Sequence, residues 1–366
     1  MTMALPLRQS ARQVSVLQQT CARLLQRVQL PELAPACDIS VCVPVCNETV
    51  ERLRAQIAAF ARQTFPRERF EIVYIVNNDR PNRTPQGVLR ANRRAIRFLR
   101  GDHPVTVRVI DCSSPGREII GCNVGRARNI GLHAVTARYL AQKRDGIVIQ
   151  TDADTLPRSA RYLTEVWKDM KRGDVAAAAG GLAMVLDMDA RTPAQRAFFR
   201  RHIGTLRHYS EWLHLVAALH ATDLTPSVSS TWFSGAHTVV RAVAGVAAGG
   251  VPPAAQGEDV AFGERIKAYA ARRRLRVLPR RDRWFLQTAI RESTRTGTSF
   301  GPIFDNIKKH RGHPMVRNPG GPDLPPVPLT PAGLRSLRRR VFRDPRRKAY
   351  ALNRINAFSR YSLPRG

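Results

Sequence analysis

The strongest constraint on the fold is a repeated alternation of short apolar runs with longer segments of helical periodicity. The short runs are rich in Val and Ile and predict buried strands, whereas the longer segments, with apolar residues every three or four positions, predict amphipathic helices. Strands that alternate with helices form a mostly parallel sheet covered by helices. The sequence therefore predicts an α/β, doubly wound fold, with strands over residues 39–45, 70–76, 105–110 and 147–149.

Polar residues stand where two of these strands end. Asn77-Asn78-Asp79 follows the second strand, and Thr151-Asp152-Ala153-Asp154 follows the fourth. Parallel strands bring their carboxyl ends to one edge of a sheet, and ligands of doubly wound folds bind there. We therefore expect both clusters to line one site.

The carboxylates of Asp152 and Asp154 suit a metal ion. In an extended chain, residues i and i+2 point to the same side, so both carboxylates can face one site. Hard oxygen ligands favour Mg²⁺ or Mn²⁺, with water and substrate phosphates completing the coordination. The alternative is that both residues only form a turn and cap a helix. Because the neighbouring strand also ends in polar residues, we favour the metal.

A second acidic cluster, Gly257-Glu258-Asp259, opens a predicted helix over residues 258–272. Acidic side chains near a helix N-terminus are stabilised by the helix dipole, so capping alone would explain them. The functional alternative is that Asp259, with Glu258 beside it, deprotonates an acceptor hydroxyl as a general base. The sequence predicts these two residues as the catalytic carboxylates.

The charge of the chain needs its own explanation. Its 366 residues include 60 Lys and Arg against 28 Asp and Glu, a net charge of +32. Such an excess indicates an anionic partner, which could be nucleic acid, a membrane surface or a phosphate-rich small molecule. Aromatic residues make up only 7 % of the chain, and no RNA-recognition or zinc-finger pattern is present, so nucleic acid is disfavoured. An apolar fraction of 43 % excludes a wholly disordered chain.

The predicted location is the cytoplasm. The six cysteines form no C-x-x-C pair, the N-terminal region lacks the apolar core of a secretory signal, and no apolar run approaches the ~20 residues that span a bilayer. Attachment to the inner face of the plasma membrane is an option, because residues 331–366 interleave eleven basic residues with apolar ones, as in an interfacial helix. A solvated charged segment is the alternative. The apolar residues concerned are Leu337, Val341, Phe342, Tyr350, Leu352 and Phe358.

Five short motifs follow one another along the chain. They are Val43-Pro44-Val45-Cys46-Asn47-Glu48, Val76-Asn77-Asn78-Asp79, Gly125-Arg126-Ala127-Arg128-Asn129-Ile130-Gly131, Thr151-Asp152-Ala153-Asp154 and Gly257-Glu258-Asp259. In this order they resemble the motifs of the family-two inverting glycosyltransferases with the GT-A fold, over roughly residues 38–300. The resemblance implies transfer of a sugar from a nucleoside-diphosphate donor to a hydroxyl of a glycan or glycolipid acceptor, with inversion at the anomeric carbon.

The resemblance also implies roles for single residues. Asp152 and Asp154 would hold the metal, Asp259 would be the base, and Arg126 or Arg128 would lie near phosphate unless they are solvated helix charges. Arg295 would belong to a basic loop that closes on the diphosphate. The predicted nucleotide-sugar site comprises Pro44, Cys46, Glu48, Asn78, Asp79, Arg126, Arg128, Asp152 and Arg295.

One departure from the family pattern concerns the base of the nucleotide. The second strand of the family ends in two acids, the second of which reads the base, but this chain has Asn77 and Asn78 there, with Asp79 one position later. The identity of the nucleobase is therefore left open.

The predicted organisation has four parts. They are an N-terminal basic helix over 1–37, a nucleotide-sugar half over 38–155, an acceptor half over 156–300, and a Pro/Gly linker with a basic tail over 301–366. A catalytically inactive GT-A protein that binds RNA or an acidic glycan is the rival interpretation, supported by basic blocks at 272–283 and 335–348. The acids of the D-A-D motif would repel a polyanion in the absence of a metal, so we favour the enzyme.

Overall fold

The structure of the chain is a computed structural model. It describes residues 11–24, 28, 30–186, 193–221, 233–254, 257–290, 306–307, 309–311, 313–321, 323–358 and 361–362. The chain divides into two compact units. The first comprises Met1–Gly180 and Phe233–Leu286, and the second comprises Gly181–Trp232 and Gln287–Gly366.

The strands and helices follow the predicted alternation. The strands are β1 Ile39–Val45, β2 Phe70–Asn77, β3 Val107–Cys112, β4 Ile147–Gln150, β5 Thr155–Pro157, β6 Val175–Leu186, β7 Thr238–Arg241, β8 Arg276–Ile290, β9 Met315–Val316, β10 Val327–Pro328 and β11 Tyr361–Ser362. The helices are α1 Ala11–Leu24, α2 Val50–Ala61, α3 Gln86–Leu99, α4 Val124–Ala141, α5 Tyr162–Met170, α6 Pro193–His220, α7 Ala242–Ala247, α8 Glu258–Arg272, α9 Pro331–Phe342 and α10 Pro345–Phe358.

The sheet of the first unit is mostly parallel, as predicted. Its strands run in the order β3-β2-β1-β4-β7-β6, and the first four are parallel to one another. β7 is antiparallel to both β4 and β6, a reversal that the sequence did not predict. Every residue of β2 is buried, as are all residues of β1 except Pro44. Such near-continuous apolar strands are typical of a parallel sheet covered on both faces.

Helix α1 belongs to the core of the first unit. Leu17 and Cys21 on this helix are buried in the same apolar cluster as Leu132 and Val135 of α4. Burial of a side chain the size of Leu stabilises a fold by about 1.5–3 kcal/mol. Within the basic N-terminal segment, Ala11–Leu24 thus form a packed helix of 14 residues.

The second unit has a separate core, and this corrects the interpretation of the basic tail. Leu337, Val341 and Tyr350, which suggested an interfacial helix, are buried in that core together with Trp212 and Leu215 of α6. These three side chains are therefore not available to a membrane, whereas Phe342 and Leu352 are half-buried, and binding to an anionic surface remains a prediction. Among the helices of the described residues, none combines the length and apolar character needed to cross a bilayer.

Candidate functional site

The D-A-D motif lies on a short segment directly after β4 whose backbone is anchored on both sides. Nε2 of Gln56 donates hydrogen bonds to the carbonyl oxygens of Asp152 and Thr155, at 2.7 and 2.8 Å. The hydroxyl of Thr151 donates to the carbonyl of Ala236 at 2.9 Å. These bonds fix the backbone from which the carboxylates of Asp152 and Asp154 project.

Arg128 of α4 joins the two acidic clusters. Its side chain is buried, Nη2 donates to Oδ1 of Asp152 at 2.5 Å, and Nη1 donates to Oε1 of Glu258. The two carboxylates lie 24 and 130 residues away along the chain. The structure therefore brings Asp152 and Glu258 together around a single guanidinium.

The carboxylate of Asp259 is held by backbone donors. The N–H of Gly235 donates to Oδ2 at 2.7 Å, and the N–H of Val260 donates to Oδ1 at 2.8 Å. Gly235 also packs against Arg128, because a Cβ at this position would lie 2.2 Å from Nη1 of the arginine. The segment before β7 thus contacts both the first turn of α8, through Asp259, and the guanidinium of Arg128.

Charge and burial shift the pKa values of this cluster. Burial disfavours the charged form of Arg128, but the nearby carboxylates of Asp152, Glu258 and Asp259 outweigh it and raise the pKa of the guanidinium. Burial also raises the pKa of Glu258; Arg128 opposes the rise, and the negative charge of Asp259 adds to it. A carboxyl group with a raised pKa in a cluster of charges is characteristic of functional sites.

The donor set allows a limited metal site. In the described part of the chain, no three His, Cys, Asp or Glu side chains are grouped as metal ligands. Asp154 is half-buried, and 37 % of the Asp152 side chain is exposed. Two oxygen donors of this kind fit Mg²⁺ or Mn²⁺ when water and substrate phosphates complete the coordination.

At the carboxyl end of β2, a buried hydrogen-bond network involves Asn78. Its Oδ1 accepts from Nδ2 of Asn92, at 3.0 Å, and from the hydroxyl of Ser113. Its Nδ2 donates to the carbonyl oxygen of Asp79 at 2.7 Å. Asn78, one of the predicted nucleotide-binding residues, is therefore used within the fold.

The carboxyl group of Asp79, which follows Asn78 directly, has a lowered pKa. Its Oδ1 accepts backbone hydrogen bonds from Arg80 and Gly121, at 2.8 and 3.1 Å. The bond from Arg80 is the main cause that lowers the pKa of the Asp79 carboxyl, and the charges of Arg83 and Arg80 lower it further. Asp79 therefore presents a carboxylate next to the amide of Asn78.

Two residues of the motif at the start of α4, Gly125 and Asn129, have structural contacts. A Cβ at Gly125 would lie 2.1 Å from the carbonyl oxygen of Pro252, and Oδ1 of Asn129 accepts from the N–H of Val251 at 2.9 Å. Both residues thus fasten α4 to the 250–254 loop. Arg126 is exposed, and its guanidinium donates to the carbonyl of Ile120.

The remaining predicted residues fall into two groups. Pro44 and Cys46, at the end of β1, are half-buried, and Glu48 is buried. Arg295 lies outside the described residues. The predicted roles of all four residues remain predictions.

Residues 40–222 match the family model described as Glycosyl transferase family 2. The chain belongs to glycosyl transferase family 2. No curated protein matches the sequence significantly. The matching solved structures include the mannosyltransferase PcManGT from Pyrobaculum calidifontis in complex with GDP-Man and Mn²⁺, at 14 % identity and a TM-score of 0.45, covering 93 % of this chain and 77 % of that one. They also include S. aureus TarS 1–349 in complex with UDP-GlcNAc, at 14 % identity and a TM-score of 0.43, covering 72 % of this chain and 61 % of that one.

Three residues of this candidate site could not be recognised from the sequence. Gln56 and Asn92 are single polar residues on amphipathic helices, and only their burial, at 0 % exposure, reveals that they anchor the site. Gly235 precedes β7, at a position where glycine ordinarily indicates a turn. The contact of its N–H with Asp259 depends on tertiary packing, and no local signal predicts it.

Proposed function

We propose that this family-2 glycosyltransferase is a metal-dependent hexosyltransferase that moves a sugar from a nucleoside diphosphate to a hydroxyl of a glycan or glycolipid, with inversion. The observation that carries the proposal is the contact of one buried guanidinium, on Arg128, with both Asp152 and Glu258. This contact supports a single site in which the donor and the acceptor hydroxyl meet.

In the proposed reaction, the carboxylate of Asp259 accepts the proton of the acceptor hydroxyl. The hydroxyl oxygen then forms a bond to the anomeric carbon as the bond from that carbon to the diphosphate oxygen breaks, and the configuration inverts. The two backbone N–H donors of Gly235 and Val260 support this role, because they hold the carboxylate in one orientation. A fixed base within reach of the hydroxyl contributes about 10²–10⁴-fold to such a step.

Asp152 and Asp154 would hold the metal, and Asp152 would also contact the donor. A bound Mg²⁺ or Mn²⁺ supplies charge neutralisation at the diphosphate leaving group. Asp79 would accept a hydrogen bond from the nucleobase, since both hydrogen-bonding atoms of the Asn78 amide have partners within the fold. Pro44, Cys46, Glu48, Arg126 and Arg295 are proposed to complete the nucleotide site.

The proposed division of labour follows the chain order, with residues 38–155 as the nucleotide-sugar half and residues 156–300 as the acceptor half. A cytoplasmic location, with attachment to an anionic membrane surface, agrees with the exposed arginines of α9. These are Arg335, Arg338, Arg339 and Arg340.

Titration calorimetry of UDP and GDP, with and without Mn²⁺, tests the donor and the metal together. We expect one of the two nucleotides to bind the wild-type chain tightly only when Mn²⁺ is present. In the variant Asp154→Ala, Mn²⁺ should no longer strengthen binding, because one of the two carboxylates is gone. Equal nucleotide affinity with and without Mn²⁺ in the wild type would refute the metal assignment.

A further inference from the structure

We propose that Arg128 is a positioning residue that aligns the base-bearing helix α8 with the donor-binding segment at the end of β4. This inference rests on the proposed function and extends it. The guanidinium is the one group in the described site that contacts both acidic clusters directly.

The first argument is geometric. Nη2 of Arg128 binds Asp152, which follows β4, and Nη1 binds Glu258, the first residue of α8. The planar guanidinium holds its two terminal nitrogens at a fixed separation, so the two carboxylates are set at a fixed separation too. Asp259 follows Glu258 directly, and the position of the base therefore depends on this contact.

The second argument is the balance of charge. Three carboxylates, those of Asp152, Glu258 and Asp259, act on this one guanidinium. A structural ion pair needs one carboxylate for one cation. The excess of negative charge leaves the site able to take up further positive charge, while Arg128 keeps the carboxylates from separating.

The third argument is the space reserved for the guanidinium. A Cβ at Gly235 would lie 2.2–2.4 Å from three atoms of the Arg128 guanidinium, closer than any van der Waals contact. Gly235 also donates its N–H to Asp259. The same residue thus accommodates the arginine and orients the base, which links the positions of the two side chains.

The experiment compares Arg128→Lys, Arg128→Met and Gly235→Ala with the wild type. We expect turnover per folded molecule, measured as release of nucleoside diphosphate from UDP- and GDP-sugars, to fall about 100-fold in Arg128→Met, the loss that a misplacement of about 1 Å can cause. Mn²⁺ affinity, measured by calorimetry in the presence of UDP or GDP, should not weaken, because a cation beside Asp152 has been removed.

The other two variants separate charge from geometry. Arg128→Lys restores the positive charge without the two-pronged contact, so its turnover should lie between those of Arg128→Met and the wild type. Gly235→Ala keeps every charge but displaces the guanidinium, and its turnover should fall as it does in Arg128→Met.

Arg241→Lys is the matched control. Arg241 is another buried arginine of the first unit, paired with Asp145 at the opposite edge of the sheet, and this variant should keep wild-type turnover per folded molecule. Wild-type turnover in Arg128→Met, no recovery in Arg128→Lys, or a parallel loss of Mn²⁺ affinity would overturn the inference. A wild type that neither binds nucleotide with Mn²⁺ nor releases it from any donor would instead refute the proposed function.

Discussion

Two buried arginines mark the two ends of β4, and they are paired very differently. At the amino end, the Nε of Arg241 donates to Oδ2 of Asp145 at 3.1 Å, and its Nη1 donates to the carbonyl of Met170. At the carboxyl end, Arg128 contacts Asp152 and Glu258, with Asp259 close enough to act on its charge. Arg241 is therefore paired with a single carboxylate, whereas three carboxylates act on Arg128.

The difference is the one expected between a structural ion pair and the proposed site. Asp145 is fully buried and also accepts backbone hydrogen bonds from Gly146 and Val243, so its interactions are internal to the fold. Asp152 is 37 % exposed and offers part of its carboxylate to the surroundings. Burial of an arginine alone thus does not distinguish a scaffold from a site. The two arginines differ instead in the number and exposure of their carboxylate partners.

The largest expected effect on turnover lies at the carboxyl end. Asp259→Asn should lower kcat by roughly 10²–10⁴-fold, because the amide cannot accept the proton of the acceptor hydroxyl. Nucleotide affinity, measured by calorimetry, should stay near the wild-type value. Unchanged kcat would exclude Asp259 as the base, and the cluster around Arg128 would then have no catalytic role to distinguish it from the pair of Arg241 and Asp145.

The largest expected effect on stability lies at the amino end. Arg241→Met leaves the buried carboxylate of Asp145 without its cation, and such a loss costs about 3–5 kcal/mol. Turnover per folded molecule should be unaffected. Urea denaturation at neutral pH measures the free energy of unfolding of both Arg241→Met and Arg128→Met. The second variant should lose less, because Asp152 is partly exposed and Glu258 can take up a proton. Equal losses would show that the two arginines are equivalent scaffolds.

The smallest expected effect is a change in the pH dependence of stability. Because the pKa of Glu258 is raised in the folded state, mainly by burial, the folded chain keeps this proton to a higher pH than the unfolded chain does. The free energy of unfolding therefore falls as pH rises from the ordinary pKa of a Glu through the raised one. Glu258→Gln should remove this fall. The measurement is the urea midpoint of the wild type and of Glu258→Gln at pH values between 4 and 8. Parallel pH profiles of the two proteins would contradict the prediction.

Much of the fold could be predicted because its signals are local. Helix α8 begins at Glu258 and ends at Arg272, as its periodicity predicted. The antiparallel direction of β7 could not be predicted, because a buried strand has the same apolar pattern in either direction. The amphipathic pattern of α9 was correctly recognised, but a pattern cannot say what covers the apolar face, and here Trp212 and Leu215 of α6 lie in the same core.

The site was predictable only in part, because some of its contacts have local signals in the sequence and others depend on tertiary packing. The acidic clusters were recognisable because each is contiguous in sequence and follows or opens a regular element. Their shared partner was not, since Arg128 is 130 residues from Glu258 and its motif suggested phosphate binding. Likewise, nothing near Asn78 in the sequence indicates that Asn92 and Ser113 would occupy its carbonyl oxygen.

The buried face of α9 has a consequence for how the basic tail should be dissected. Leu334 and Leu337 fill the same core as Trp212, whereas Arg335 and Arg339 on the same helix point outward. The same helix therefore carries both the positive charge and part of the apolar core, and a truncation before Pro331 would remove both at once. Charge-neutralising substitutions at the exposed arginines would remove the charge and leave the apolar core in place. The indole of Trp212 is buried in this core, and its N–H donates to the carbonyl of Arg317. Its fluorescence would therefore report whether the core remains folded in such variants.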